Sequence, residues 1–228
     1  MRLLVISDIH ANHTALNRVL KEVPDIDTII CAGDITGYGP RPNECIETLK
    51  RLRAVCVKGN HDEAATSGDT THLNTYAAKA MDIQRGILKS SNLEWLNNIP
   101  KRITVNMDNI RIHLVHGSPW NPYREYLYPD DIKRRAEELL DYVGTDMLVL
   151  GHTHHPCIHQ TEKGLIINPG SVGQPRDGDP KASYMTVDTN RPHKVIHGRI
   201  DYDINLVTDL MQALGIPKML ALRLHRGQ

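Results

Sequence analysis

The first ten residues, Met1-Arg2-Leu3-Leu4-Val5-Ile6-Ser7-Asp8-Ile9-His10, run from four aliphatic side chains straight into an Asp-x-His pair. A short apolar run bounded by polar residues has the length of a buried strand rather than of a helix. The same punctuation recurs along the chain. Thr28–Ala32 runs into Gly33-Asp34, and Ala54–Val57 precedes Gly59-Asn60-His61-Asp62. Ile110–Val115 leads into His116-Gly117, and Met147–Leu150 into Gly151-His152-Thr153-His154. Between the first three runs the period changes to 3.6. Ala15, Leu16, Val19, Leu20 and Val23 form one apolar face with Asn12 as N-cap, and Ile46, Leu49 and Leu52 form another with Pro40 and Pro42 near its start. Strand–helix–strand–helix–strand implies right-handed crossovers and a parallel sheet, whose ligands gather beyond the carboxyl ends of the strands. The Asp, Asn and His residues fall at those ends.

Beyond about residue 100 the texture is of short strands and tight turns. Arg102–Met107 pairs with Ile110–Val115 around Asp108-Asn109, and Cys157–Gln160 with Leu165–Ile167 around Gly164. Further strands are expected near Ser183–Asp188 and Val195–Ile200, and helices over Asp130–Tyr142 and Asn205–Leu214, with a short helix in the tail from Ile216. No linker or repeat divides the sequence. The expectation is an α/β chain with a single domain over residues 1–228, built as a four-layer αββα sandwich of two mixed sheets flanked by helices.

Composition narrows the function. With 27 basic and 27 acidic residues the chain has no net charge, which argues against nucleic acid or an anionic membrane as a partner. No run reaches the roughly 18 apolar residues of a membrane span, and Leu3–Ile6 is too short for a signal peptide. Cys31, Cys45, Cys56 and Cys157 show no metal or disulfide spacing and read as reduced thiols of a cytoplasmic protein. Thirteen histidines are the anomaly.

Asp8 and His10 lie two apart, which on an extended chain sends both side chains to one side, and His152 and His154 repeat the spacing. Asp34 and Asn60 add oxygen donors, and His116 a nitrogen. Seven mixed donors exceed the needs of one ion and suit two divalent ions sharing a ligand, with the carboxylate of Asp34 as the bridge. Each residue alone has a plainer reading: Asp8 as a helix cap, Gly33-Asp34 as a turn, His152 and His154 as loop residues. Five such motifs, each directly after a strand-like run, outweigh those readings together.

The series Asp8-x-His10, Gly33-Asp34-x-x-Gly37, Gly59-Asn60-His61-Asp62, His116-Gly117 and Gly151-His152-Thr153-His154 resembles the calcineurin-like metallophosphoesterases, closest to their small prokaryotic phosphodiesterase branch. Ser7–Asn12, Gly37–Pro40, His116–Pro119, Asn168–Gly173 and Arg223–Gly227 carry the likeness across nearly the whole chain. The resemblance implies one metal on Asp8, His10 and His154, a second on Asn60, His116 and His152, and Asp34 shared. It implies two divalent ions, Mn or Fe by preference, with Zn, Ni or Co also compatible with the donors. Hydrolysis would proceed by in-line attack of a metal-bridging hydroxide on a phosphodiester or phosphoanhydride of a small phosphorylated substrate. His61, oriented by Asp62, would be the catalytic ring.

Two further residues are substrate candidates from their own chemistry: Arg176, suited to bidentate phosphate contacts, and Tyr123, on a rim with Arg124 and Tyr126. His113 has the opposite parity to His116 along its strand and is expected to pack or face water. His13 and His155 are expected in solvent or beside the site. The rival readings are a phosphomonoesterase or protein Ser/Thr phosphatase on the same centre, and a non-catalytic interaction scaffold. The sequence leaves the oligomeric state, a homo-oligomer included, open.

Overall fold

The computed structural model describes residues 1–228, the side chains of residues 192 and 193 excepted. The chain begins with β1 (Arg2–Ile6), α1 (His13–Glu22), β2 (Thr28–Cys31), α2 (Pro42–Arg51) and β3 (Val55–Cys56). Three helices follow: α3 (Asn60–Ser67), α4 (Thr75–Ile87) and α5 (Ser90–Asn98). Next come β4 (Arg102–Met107), β5 (Ile110–Val115), α6 (Pro129–Val143), β6 (Met147–Val149), β7 (Pro156–Gln160) and β8 (Leu165–Pro169). The chain closes with β9 (Ala182–Asp188), β10 (Arg191–Ile200), α7 (Ile204–Ala213) and α8 (Lys218–Arg226).

The strands form two mixed five-stranded sheets, ordered β10-β9-β1-β2-β3 and β4-β5-β6-β8-β7. As expected, β1, β2 and β3 run parallel, joined through α1 and α2. The three hairpins β4–β5, β7–β8 and β9–β10 are antiparallel. The second half is less uniform than its texture suggests, because β5, β6 and β8 run parallel, with α6 as the crossover between β5 and β6.

Side-chain alternation builds the layers. On β1, Leu3 and Val5 face the second sheet, where they meet Ile112, Leu114, Met147, Val149 and Ile167. Leu4 and Ile6 point the other way, into a core with Leu16, Val19, Ile46 and Leu49 of α1 and α2. On the outer face of the second sheet, Leu148 and Ile166 pack against Ile132, Ala136 and Leu139 of α6. Helix, sheet, sheet and helix are thus held by three aliphatic seams, each fully buried side chain contributing about 1.5–3 kcal/mol relative to exposure.

The helices α3, α4 and α5 have no counterpart in the hydrophobic pattern. Their buried positions mix Ala64, Ala65, Ala77 and Ala80 with the polar Asn60, His61, Asp62, Gln84 and Asn92, the large apolar ones being Met81 and Leu96. So weak an apolar stripe leaves little 3.6-residue period to read. Among the described residues no helix is long and apolar enough to cross a membrane.

Candidate metal centre

Five loops leave the carboxyl ends of β1, β2, β3, β5 and β6 and meet above the seam between the sheets. They bring Asp8, His10, Asp34, Asn60, His116, His152 and His154 into one buried cluster, each at most 6% exposed. Five of the seven, Asp8, His10, Asp34, His152 and His154, have φ between 47° and 69°. Such left-handed backbone in non-glycine residues costs on the order of 1–3 kcal/mol each and persists only where the surroundings enforce it. The loops are locked together by backbone bonds: Asp8 N–H to the Gly33 carbonyl at 2.9 Å, His10 N–H to Asp34 at 2.9 Å, and Gly151 N–H to His116 at 2.9 Å. Gly59 is required by proximity, since a Cβ there would run into the Asp34 carboxylate.

The donors converge in two sets. In the first, His154 Nε2 lies 3.2 Å from Asp8 Oδ1, and His10 Nε2 lies 3.1 Å from His154 Nε2 and 3.7 Å from Asp34 Oδ2. In the second, His116 Nε2 lies 3.3 Å from Asp34 Oδ2, 3.1 Å from Asn60 Oδ1 and 3.2 Å from His152 Nδ1. Asp34 Oδ2 therefore faces both. Asp8, His10 and His154 form one group, and Asp34, His116 and His152 another, whose candidate ligand atoms lie within 4.8 Å of one another. A third group joins His10 and Asp34 to His61.

Tautomers follow from the outer partners. Nδ1 of His10 meets the Thr36 carbonyl at 3.0 Å, Nδ1 of His116 that of Ala32 at 2.7 Å, and Nδ1 of His154 that of Gln174. Each Nδ1–H donates outward, so the Nε2 lone pairs turn inward. In neutral rings the paired nitrogens of His10 and His154 then repel, while Asp8 Oδ1 is buried without any hydrogen-bond partner. Inward lone pairs, an orphaned carboxylate oxygen and a shared carboxylate are the arrangement a pair of divalent cations relieves, so the residues present fit a dinuclear centre.

The electrostatics agree. Burial opposes charge on every ring; it holds His10 well below the ordinary imidazole value, lowers His154 as well, and brings His152 down to about 3. His116 is the exception. Burial opposes its charge too, but the Asp34 and Asp8 carboxylates outweigh it and push the pKa up to about 9. Burial disfavours both carboxylate anions as well, yet the surrounding imidazoles hold Asp8 and Asp34 below the ordinary range.

His61 stands at the edge of the cluster, 97% buried, its ring 4.9 Å from that of His10 and its Nδ1 without a partner. Asp62, expected to orient it, is engaged with the loops around it. The Asp62 carboxylate accepts from Thr36 N–H at 2.9 Å, Thr36 Oγ1 at 2.9 Å, Gly59 N–H at 3.0 Å and Ile35 N–H at 3.2 Å. Asp62 thus staples the β2 and β3 loops, while the His61 N–H donates to Asp34 Oδ1 at 2.8 Å. Arg176 reaches the cluster rim, donating to the Tyr38 hydroxyl at 3.1 Å and Gln174 Oε1 at 3.2 Å, with its Nε buried and unpartnered. Tyr123 is turned to a different task, its hydroxyl donating to Glu63 at 3.3 Å, beside Lys58. His113 bonds Thr104, His13 bonds Thr48, and His155 bonds the Thr153 carbonyl, all outside the cluster.

Two aromatic neighbours complete the cluster, Tyr38, which residue type did not single out, and Tyr126, expected on the rim. Tyr38, 5% exposed, sits 4.6 Å from the rings of both His10 and His61. Tyr126 stacks on His152 at 3.8 Å.

The model of the calcineurin-like phosphoesterase superfamily domain matches residues 1–192. The chain belongs to this superfamily. An uncharacterized protein of Methanocaldococcus jannaschii is 35% identical to it, covering 98% of this chain and 97% of its own length. The crystal structure of a metallophosphoesterase from Sphaerobacter thermophilus superposes with a TM-score of 0.86 at 35% identity, covering 100% of this chain and 99% of its own. The phosphodiesterase YfcE of Escherichia coli is 28% identical over 83% of this chain and 89% of its own. The chain is accordingly a metal-dependent phosphoric ester hydrolase of a superfamily that uses a dinuclear divalent centre.

Proposed function

We propose that this metallophosphoesterase hydrolyses phosphodiester or phosphoanhydride bonds of small molecules. The observation that carries the reading is the pair of donor sets facing a common carboxylate, Asp34. Asp8, His10 and His154 would hold one divalent cation and Asn60, His116 and His152 the second, with Asp34 available to both. Two cations held there supply Lewis acidity toward a water and toward the phosphoryl oxygens.

The chain's own groups do the rest. The carbonyls of Thr36, Ala32 and Gln174 fix the rings, so no reorganisation is needed as charge develops. Burial holds the His61 pKa down to about 4, so its ring is neutral at physiological pH. It therefore acts by offering an N–H to a phosphoryl or leaving-group oxygen rather than by carrying a full charge. Asp62 keeps His61 in place indirectly, by tying Gly59 to Ile35 and Thr36. Arg176, already oriented by Tyr38 and Gln174, turns a guanidinium toward the substrate phosphate. Tyr123 forms the wall behind Glu63 and Lys58. The four free cysteines support a reducing, cytoplasmic setting.

The test is metal-free protein reloaded separately with Mn²⁺, Fe²⁺, Ni²⁺, Co²⁺ or Zn²⁺. Each form is offered bis(p-nitrophenyl) phosphate, p-nitrophenyl phosphate, a cyclic nucleotide and a dinucleoside polyphosphate. Turnover of a diester or anhydride above that of the monoester supports the proposal; monoester preference with every metal replaces it with the phosphatase reading.

A further inference from the structure

The loop between β5 and α6 carries two tyrosines on the solvent side of the centre. Tyr126 and Tyr128 are 47% and 45% exposed in a chain with eight Tyr, two Trp and no Phe. Their rings are near-parallel, 14° apart in plane, with centroids separated by 6.2 Å. The ladder continues in both directions: Tyr126 stacks on His152, at 3.8 Å and 26°, and Tyr128 meets His155 edge-on at 5.5 Å.

This loop is held, not loose. Gly117 N–H donates to the Pro122 carbonyl at 2.8 Å, and Asn121 N–H to Ser118 Oγ at 2.9 Å. Glu125, the residue before Tyr126, accepts from Ser118 Oγ and pairs with Arg135 of α6 at 2.7 Å. Side chains this large, exposed on an anchored loop and continuous with a candidate metal ligand, are unexplained by packing. Arg176 reaches the other side of the same cluster through Tyr38, whose hydroxyl accepts from it at 3.1 Å and whose ring lies 4.6 Å from that of His10, so the guanidinium and the aromatic pair flank the same donors. A ligand bridging them needs an anion at one end and a flat π-surface at the other.

We propose that Tyr126 and Tyr128 form a base-stacking platform, so that the substrate is a phosphoric ester of a nucleoside, with its nucleobase on these rings and its phosphate at the centre. The inference rests on the phosphoesterase reading and adds the class of alcohol. Base–aromatic stacking tolerates any base, because each presents a π-face.

Isothermal titration of the Mn²⁺-loaded protein with AMP and with ribose 5-phosphate isolates the base from the phosphate and sugar. AMP should bind about tenfold more tightly, and Tyr126→Leu or Tyr128→Leu should each remove most of that ratio while ribose 5-phosphate affinity stays within about twofold. Tyr126→Phe should retain the ratio. Tyr128→Leu touches no candidate ligand, and metal content measured on each variant separates stacking from damage at His152. Equal binding of the two ligands by the wild type, no binding of either, or a ratio that survives both leucine variants overturns the platform. Failure of the wild type to turn over any phosphoric ester would instead strike the phosphoesterase reading, which this binding ratio does not measure.

Discussion

Loading the metal-free protein with cations should release one proton per chain, and that proton should come from His116. In the cluster, His10, His152 and His154 are held neutral by burial, and Asp8 and Asp34 are held ionised by the imidazoles around them. Only His116, with a pKa near 9, must lose a proton before its Nε2 can bind a cation. At pH 7 about 99% of the His116 rings are charged, and deprotonation two units below the pKa costs about 3 kcal/mol. The cation held by Asn60, His116 and His152 should therefore bind about 100-fold more weakly at pH 7 than above pH 9, tenfold per unit between. The cation held by Asp8, His10 and His154 should show no such slope over that range. Asp62, pushed up to about 6 by burial and by Asp34, adds only about a tenth of a proton at pH 7. Calorimetric Mn²⁺ titrations in buffers of different ionisation enthalpy count the protons directly. Release near zero at pH 7, or two sites with identical pH dependence, would refute the charge assignment.

Stability of the metal-free protein should peak near pH 6.5. His116 has a raised pKa, so its contribution is complete below about 6.5 and is lost as pH climbs toward 9. His10, His61, His152 and His154 have lowered pKa values, so theirs is present above 6.5 and is lost as pH falls, through about 4 for His61 and about 3 for His152. Urea midpoints across pH 4 to 9 check both limbs, and a flat profile contradicts them. His61→Ala should keep both metals by elemental analysis yet lose at least about tenfold in turnover; wild-type turnover at full occupancy removes His61 from the chemistry. Gly59→Ala places a methyl against the Asp34 carboxylate, and should cost about 1–3 kcal/mol in denaturant unfolding and weaken metal binding.

The strand ends were legible because sequence-local features mark them. Leu3–Ile6 and Met147–Leu150 are apolar runs that end in side chains with no reason to follow a strand other than chemistry. β1, β2, β5 and β6 accordingly lie within a residue of the expected bounds. The segment from Asn60 to Asn98 was illegible because its helices bury alanines and polar groups with Met81 and Leu96 as the large apolar side chains, which leaves little hydrophobic period to read. Within the site, donor residues announce themselves by type and spacing, and the seven side chains do converge. What holds them does not. The carbonyls of Ala32, Thr36 and Gln174 that set the imidazole tautomers carry no side-chain signature. Gln84, on α4, reaches the Gly37 N–H at 2.8 Å and the Gly39 carbonyl at 2.6 Å, a bond pattern created by tertiary folding alone. Asp62 was expected to orient His61, and its carboxylate instead ties two loops together, because the folded chain brings four donors of those loops to its two oxygens.

The central claim is that one carboxylate, Asp34, holds two cations together for phosphoric ester hydrolysis. Stepwise Mn²⁺ addition to metal-free wild type and Asp34→Ala, with bound metal and bis(p-nitrophenyl) phosphate turnover read on the same samples, tests it most directly. The account predicts that wild-type turnover climbs until two equivalents are bound, and that Asp34→Ala retains neither the stoichiometry nor the activity. Turnover that saturates at one equivalent, or an Asp34→Ala protein that still binds two, would contradict it.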